Sequence, residues 1–294
     1  MTLMHTRVPE ALASRLKWLL IYWLVAANQI YSRYFDKKSI IAKEKDCIVV
    51  TVAFNKPRLI KIQLESLKKY FKTDFSFLIY DNSTDARASQ ELEKFCRNNS
   101  VIYIKPRTKL AGRINPSLDH AIALDWCLEA ITMLKTKPKY ALFLDHDIFL
   151  TADWEISAAI APTIGITAPK QERKGIAYYW PGLMVINTEL TNLKLLSFLP
   201  EPGLDTGGKL GRQALRYKIE TQEMRHCGYI STLTGSKINN EENNFDELLM
   251  SNQIVEAYGP WLHLINGSCW RGKGRQDQSL NYIISQINNS IESR

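Results

Sequence analysis

From Asp46 to Leu150, short apolar runs rich in β-branched residues alternate with longer stretches whose apolar residues recur at helical spacing. This alternation restricts the fold more than any other feature of the chain. "CIVVTVAF" (47–54), "FSFLIYD" (75–81), "VIYIK" (101–105) and "YALFLDHD" (140–147) each have the length of a buried strand. Between them, Ile60, Leu64, Leu67 and Phe71 share one helical face, Leu92 and Phe95 point inward from a second helix, and Ala121, Leu124, Leu128 and Ile131 form a third stripe. Asn55-Lys56-Pro57 and Asn115-Pro116 read as helix starts, with asparagine as cap and proline in the first turn. Strand, helix, strand, helix in succession means parallel strands joined by right-handed crossovers. The expectation is an α/β layered fold with a mostly parallel central sheet flanked by helices.

Ligands of such sheets bind outside the carboxyl ends of the strands. That rule gives a use to "KYALFLDHDIFL" (139–150), where an apolar run drives into two aspartates. In an extended strand Asp145 and Asp147 point the same way and His146 the opposite way. Two converging carboxylates repel, and a divalent cation shared with a diphosphate would offset the repulsion. A D-x-D tripeptide arises by chance about once in a chain of this length, so its information lies in its position at the end of the fourth strand.

Other classes lack their signatures. No G-x-G-x-x-G follows the first strand and no G-K-[ST] loop occurs, which removes dinucleotide and P-loop chemistry. The net charge of +8 suits nucleic acid, an anionic membrane or an acidic small substrate, but no basic arm interleaved with aromatics is present, so no nucleic-acid partner is expected. The cysteines Cys47, Cys96, Cys127, Cys227 and Cys269 are odd in number, far apart and without C-x-x-C spacing, and read as free thiols of a reducing, cytoplasmic compartment. "RLKWLLIYWLVAANQIYSRYF" (15–35) begins basic and is apolar from Trp18 to Ala27, too short a run to span a bilayer. It reads either as a helix in the interface of the inner membrane face, with Trp18, Tyr22, Trp23 and Tyr31 at headgroup level, or as a helix docked on the body.

On "VTVAFNKPRLIKIQLESLKKYF", "FLIYDNSTD" and "LFLDHDIFL" the chain resembles the GT-A fold glycosyltransferases, family 2-like and D-x-D containing, which use nucleotide sugars. The resemblance covers residues 46–155 well and the remainder loosely. It implies a Rossmann-like GT-A layered fold in which Ala53 and Asn55 line the base pocket and Asp81 contacts base or ribose. It further implies that Asp145 lies near ribose and metal, that Asp147 binds Mn2+ or Mg2+ directly, and that Arg113 and Asn115 in "AGRINPS" face the nucleotide. A sugar nucleotidyltransferase shares the broad architecture, but "FNKPR" stands where its glycine-rich loop would be.

In the second half, "GPWLHLINGSCWRGKGR" (259–275) is similar to the late segment in which several such enzymes bring a histidine to the metal and a glycine and basic residues to the diphosphate. This implies His263 as a metal ligand and Gly267, Arg271 and Lys273 as donor-binding residues. The K-P-W ending of the retaining glycogenin-like pattern is missing, so the retaining or inverting outcome stays open. His5, His120, His146 and His226 show no comparable setting. An inverting transfer needs a base for the acceptor hydroxyl, and Asp205 in "PGLDTGGKLGR" is the candidate, with Glu241, Glu242 and Asp246 as competitors. Trp180 and Tyr179 beside Gly182 are either sugar-stacking platforms or loop anchors. The expected organisation is an N-terminal segment (1–44), a nucleotide-sugar-binding half (45–155) and an acceptor-binding half (156–294). The expected activity is metal-dependent transfer of a sugar, hexosyltransferase-like, from a nucleotide diphosphate sugar to a carbohydrate, lipid-linked or protein acceptor. The rival from another class is a non-catalytic nucleotide- or sugar-binding module of the same fold.

Overall fold

The computed structural model describes residues 45–105, 116–173, 175–238, 245–265 and 277–289. Strands β1 (Cys47–Ala53), β2 (Phe75–Asp81), β3 (Ile102–Ile104) and β4 (Tyr140–Asp145) pair in parallel, joined by α1 (Pro57–Tyr70), α2 (Ala86–Asn98) and α3 (Pro116–Thr132). The alternation in the sequence is thus the βα alternation of the fold. The sheet continues through β6 (Ile166–Ala168), β9 (Leu183–Asn187) and β10 (Thr221–Glu223) to seven strands in the order β10-β6-β9-β4-β1-β2-β3. Within it β9 alone runs against its neighbours. The fold is the mixed α/β architecture that the sequence predicts.

β1 lies inside the sheet, between β4 and β2, and is buried along its whole length. Its Cys47, Val49 and Ala53 enter one core cluster with the inner faces of α1 and α2, whereas Ile48, Val50 and Val52 enter a second cluster with α3. Burial on both faces explains why the run is apolar without alternation. On α1 the predicted residues Ile60, Leu64 and Leu67 are buried, as is Phe71 just beyond it. α3 differs from its single predicted stripe: Ile122, Trp126 and Ala130 are buried as well. Residues 193–199 cover that other side, and Asp125 accepts hydrogen bonds there from Ser197 Oγ (2.8 Å) and Phe198 N (2.6 Å).

A second sheet did not follow from the sequence. It has the antiparallel order β12-β11-β13-β14-β5, from β5 (Ile148–Leu150), β11 (Gly228–Ser231), β12 (Lys237–Ile238), β13 (Ile254–Tyr258) and β14 (Trp261–His263). A hairpin of β7 (Lys170–Arg173) and β8 (Ile176–Tyr179) stands apart from both sheets. Short helices α4 (Ile156–Ala159), α5 (Leu210–Arg216) and α6 (Phe245–Met250) and the closing helix α7 (Asp277–Asn289) complete the described chain. Cys47, Cys96 and Cys127 are buried free thiols and Cys227 is exposed. No helix among the described residues is long and apolar enough to cross a membrane.

Candidate active site

Parallel pairing brings the ends of β1, β2 and β4 to one edge of the sheet: Ala53 is in register with Asp81, and Val52 with Asp145. A recess opens there, lined by Val52, Phe54, Asn82, His120, Asp145, His146 and Asp147. The chain does not run straight through the aspartates. β4 ends at Asp145, His146 and Asp147 form a turn, and β5 begins at Ile148 in the other sheet. The expectation of one extended strand, with His146 facing away, is corrected on this point. In a turn the two-residue alternation lapses, and His146 lines the same recess as both aspartates.

The side chain that holds this turn is Gln63 on α1, fully buried. Its Nε2 donates to Asp145 O and to Ile148 O, both at 2.8 Å, and so bridges the two ends of the turn. Thr51 Oγ1 donates to Gln63 Oε1 at 2.9 Å and thereby fixes which way the amide faces. Two backbone bonds complete the frame, from Asp145 N to Gly182 O and from Leu264 N to Asp147 O, each 2.8 Å. Sequence reasoning missed Gln63 because a glutamine inside a helical stripe carries no signal until the strand facing it is known.

Two acid–imidazole pairs surround the turn. His263, at the end of β14, has Nδ1 2.6 Å from Glu256 Oε2 and Nε2 3.7 Å from Asp147 Oδ1. A carboxylate only accepts, so Nδ1 carries a proton and Nε2 faces Asp147. Burial opposes a charged imidazole, but the hydrogen bond to Glu256 and the charges of Asp147, Glu256 and Asp145 outweigh it and push the His263 pKa up to about 9. Burial would likewise raise Glu256, yet its bond and charge contact with His263 hold it below the usual carboxylate range. In the second pair, His120 Nε2 on α3 lies 3.4 Å from Asp145 Oδ1. Burial pushes the Asp145 pKa up, with His120 opposing and Asp147 reinforcing the shift. Nothing within their own segments singles out His120 or Glu256, since their roles come from elements far away in the chain.

His146 has Nδ1 3.3 Å from Val52 O, and its buried Nε2 has no hydrogen-bond partner among the described residues. Trp180 packs its ring on His263 (centroids 5.0 Å) and Tyr258 (5.8 Å). A Cβ on Gly182 would lie 2.3 Å from the Trp180 ring and 2.5 Å from Asp145 Oδ2, so only glycine fits beneath both. Tyr179 shares a 2.8 Å hydrogen bond with Thr221 Oγ1 and is an anchor, whereas Trp180 belongs to the wall around His263.

The remaining expected site residues are placed as follows. Ala53 ends β1, and its carbonyl accepts from Asn82 N at 2.8 Å. Asn55 is not the cap of α1: with φ +51 it turns away, and its Oδ1 accepts from Thr84 N and Asp85 N at 2.9 Å, ahead of α2. Asp81 is fully buried and accepts from Ser83 N (2.9 Å), Tyr103 Oη (2.7 Å) and Ser89 Oγ, with Lys105 Nζ 3.6 Å away. Burial alone would raise its pKa, but these donors hold it below the ordinary value. It organises the strand end, and its neighbour Asn82 lines the recess. Asp205 pairs with Arg173 on β7 at 3.2 Å and accepts from Thr206 N at 2.8 Å, outside the recess lining. Asp246 is exposed on α6. Arg113, Asn115, Gly267, Arg271 and Lys273, with Glu241 and Glu242, lie outside the described residues.

Among the described residues no three carboxylate, imidazole or thiol groups are gathered tightly enough to hold an ion as they stand. The donor chemistry nevertheless suits a divalent cation. Asp145 and Asp147 are hard oxygen donors, and His263 has its outer nitrogen tied to a carboxylate, the usual outer-shell partner of a metal-binding imidazole.

No protein-family model and no curated protein sequence matches the chain. Among solved structures it is similar to a mannosyltransferase from Pyrobaculum calidifontis in complex with GDP-Man and Mn2+, at 14% identity and TM-score 0.44, covering 72% of this chain and 63% of that one. It is also similar to S. aureus TarS, at 22% identity and TM-score 0.30, covering 43% of this chain and 22% of that one. The chain therefore spans less than two thirds of the length of either protein. Both likenesses are loose, and the functional reading rests on the recess.

Proposed function

We propose that the chain is a metal-dependent glycosyltransferase of the GT-A type, which moves a sugar from a nucleotide diphosphate sugar to an acceptor hydroxyl. The observation that carries this reading is the Asp145-His146-Asp147 turn. It sets both carboxylates on one recess at the carboxyl edge of a parallel sheet, next to a histidine whose orientation is fixed by Glu256.

Asp145, Asp147 and His263 would hold Mn2+ or Mg2+. When bound, such an ion supplies positive charge to the departing diphosphate. The protein's own part is positioning. Gln63 and Gly182 hold the Asp145 backbone, and Gly182 leaves room for its carboxylate. Asn82 and His120 line the same space as polar residues, and Phe54 as an aromatic one. An ion held by His263 would take the place of the proton on Nε2, while Nδ1 keeps its proton on Glu256, which ties metal uptake to pH. Within this reading Asp205 is the base that takes the acceptor proton, and Arg271 or Lys273 assists the leaving group.

The test is release of nucleoside diphosphate from a panel of nucleotide sugars, with manganese or magnesium, by the full-length protein and by Asp147→Ala. The expected result is slow, metal-dependent release from one donor by the wild type and none by the variant. Donor binding without any release would favour the non-catalytic module. Asp205→Asn should keep donor binding and lose transfer to the acceptor; unchanged transfer would remove Asp205 as the base.

A further inference from the structure

The opposite edge of the central sheet has a different character. α3 descends from the recess and ends there at Thr132, β4 begins there at Tyr140, and β9 arrives there at Asn187, in register with Tyr140. The segments that follow α3 and β9 are tied together by bonds from Thr188 N to Lys139 O (2.9 Å) and from Thr188 Oγ1 to Pro138 O (2.5 Å). They form a shallow hollow whose lining includes Ile131, Lys137, Leu190, Leu193 and Lys194, with Glu189 as its carboxylate.

Around the hollow, Met133 (41% exposed), Leu190 (50%) and Leu195 (39%) hold apolar surface in solvent. Lys135, Lys137, Lys139 and Lys194 are exposed among them. None of the four has a carboxylate within ion-pair distance among the described residues; Lys139 Nζ instead sits 5.4 Å from the Tyr140 ring centroid. Farther along the same edge Lys45, before β1, and Lys72, before β2, do pair, with Asp74 at 2.6 Å and Asp153 at 2.8 Å. Unpaired lysines interspersed with solvated apolar side chains form a surface that is complementary to headgroup phosphates above an acyl layer.

A second, independent observation concerns where residues 1–44 join the body. Asp46 O accepts from Tyr140 N at 3.0 Å, and Cys47 is in register with Tyr140. The junction is therefore one strand away from Lys139, on this same edge. The sequence that leads into it carries the apolar, aromatic run Trp18–Ala27 behind Arg15 and Lys17. That segment is itself basic, with Arg33, Lys37 and Lys38 after the run, so like charge disfavours it as the cover of the lysine surface.

We infer that this amino edge of the sheet, centred on Lys137, Lys194, Leu190 and Leu195, is the face that docks on an anionic lipid bilayer. The lysines meet the headgroup phosphates, and the apolar side chains enter the interface. The inference is independent of the proposed activity. It also gives that activity an orientation: the recess, at the other end of α3, faces away from the bilayer.

The test is cosedimentation of the full-length protein with phosphatidylcholine vesicles, with and without phosphatidylglycerol. Each lysine near an anionic surface contributes roughly a fivefold change in partitioning. Lys137→Glu with Lys194→Glu is therefore expected to weaken binding to the anionic vesicles by about 25-fold or more, with thermal melting unchanged. Leu190→Ser with Leu195→Ser should weaken it as well. Lys94→Glu with Lys237→Glu, on α2 and β12, makes the same change in net charge elsewhere and should have a much smaller effect. Equal losses in the two charge-reversal pairs would reduce the effect to net charge and overturn the inference. Undiminished binding by the Lys137/Lys194 pair would assign docking to residues 1–44 alone and overturn it too. Stabilisation by inorganic phosphate without vesicle binding would make the hollow a small-anion site and not a docking face.

Discussion

The two edges of one sheet, joined by the length of α3, treat charge in opposite ways. At the carboxyl edge Asp81, Asp145, Asp147 and Glu256 are drawn into the protein, each against a specific partner: Ser83, Ser89 and Tyr103 for Asp81, His120 for Asp145, and His263 for Asp147 and Glu256. At the amino edge Lys135, Lys137, Lys139 and Lys194 stay in water, and none of the described carboxylates pairs with these four. Buried charge must be matched by geometry, because an unpaired buried ion is costly, whereas exposed charge needs no partner. Substitutions at the carboxyl edge should therefore disturb folding and ligand binding together, and those at the amino edge should leave both nearly intact.

The largest effect is expected at Gln63. Gln63→Leu strands the Thr51 hydroxyl and the carbonyls of Asp145 and Ile148 in the core, which should cost about 3 kcal/mol or more in denaturant unfolding. Metal-dependent donor binding should be lost with it; unchanged binding would show that the turn needs no support from α1. Gly182→Ala comes next. Its Cβ must displace the Trp180 ring or the Asp145 carboxylate, at about 1–3 kcal/mol, with donor affinity falling further than stability does.

Glu256→Gln keeps the hydrogen-bonding shape but removes a charge from His263. Metal affinity, measured by manganese titration, should fall about 10–100-fold. The same variant tests the pH behaviour. A histidine whose pKa is raised from 6.5 to about 9 contributes stability that is full below pH 6.5 and is lost as pH rises through about 9. The metal-free wild type should thus melt progressively lower over that window, and Glu256→Gln should flatten the slope. An identical slope in the two proteins would mean that the His263–Glu256 pair is not what titrates. The smallest effect is expected at the amino edge, where Lys137→Ala should change stability by no more than about 0.5 kcal/mol and leave donor binding alone.

The parallel core was legible because each of β1, β2 and β4 is a buried apolar run and each helix between them shows its inner face. The position of Asp145 at a strand end followed from that pattern. What the pattern hid was any change of hydrogen-bonding partner: residues 140–147 read as one strand, yet the chain leaves the first sheet at Asp145 and joins the second at Ile148. The supporting residues were hidden for a related reason. Gln63, His120 and Glu256 reach the turn from α1, α3 and β13, and each looks ordinary within its own element. Asp81 illustrates the converse, since its place at a strand end was legible but the donors that bury it, Ser89 and Tyr103, lie on other elements.

The most direct measurement is calorimetric titration of a panel of nucleotide sugars into the wild type, Asp147→Ala and Lys137→Glu/Lys194→Glu, each with and without manganese. The proposed site predicts that at least one donor binds the wild type and the lysine variant equally well in the presence of manganese. It also predicts that binding to Asp147→Ala is at least about 100-fold weaker. Donor binding of equal strength in the wild type and Asp147→Ala, with or without manganese, would contradict it.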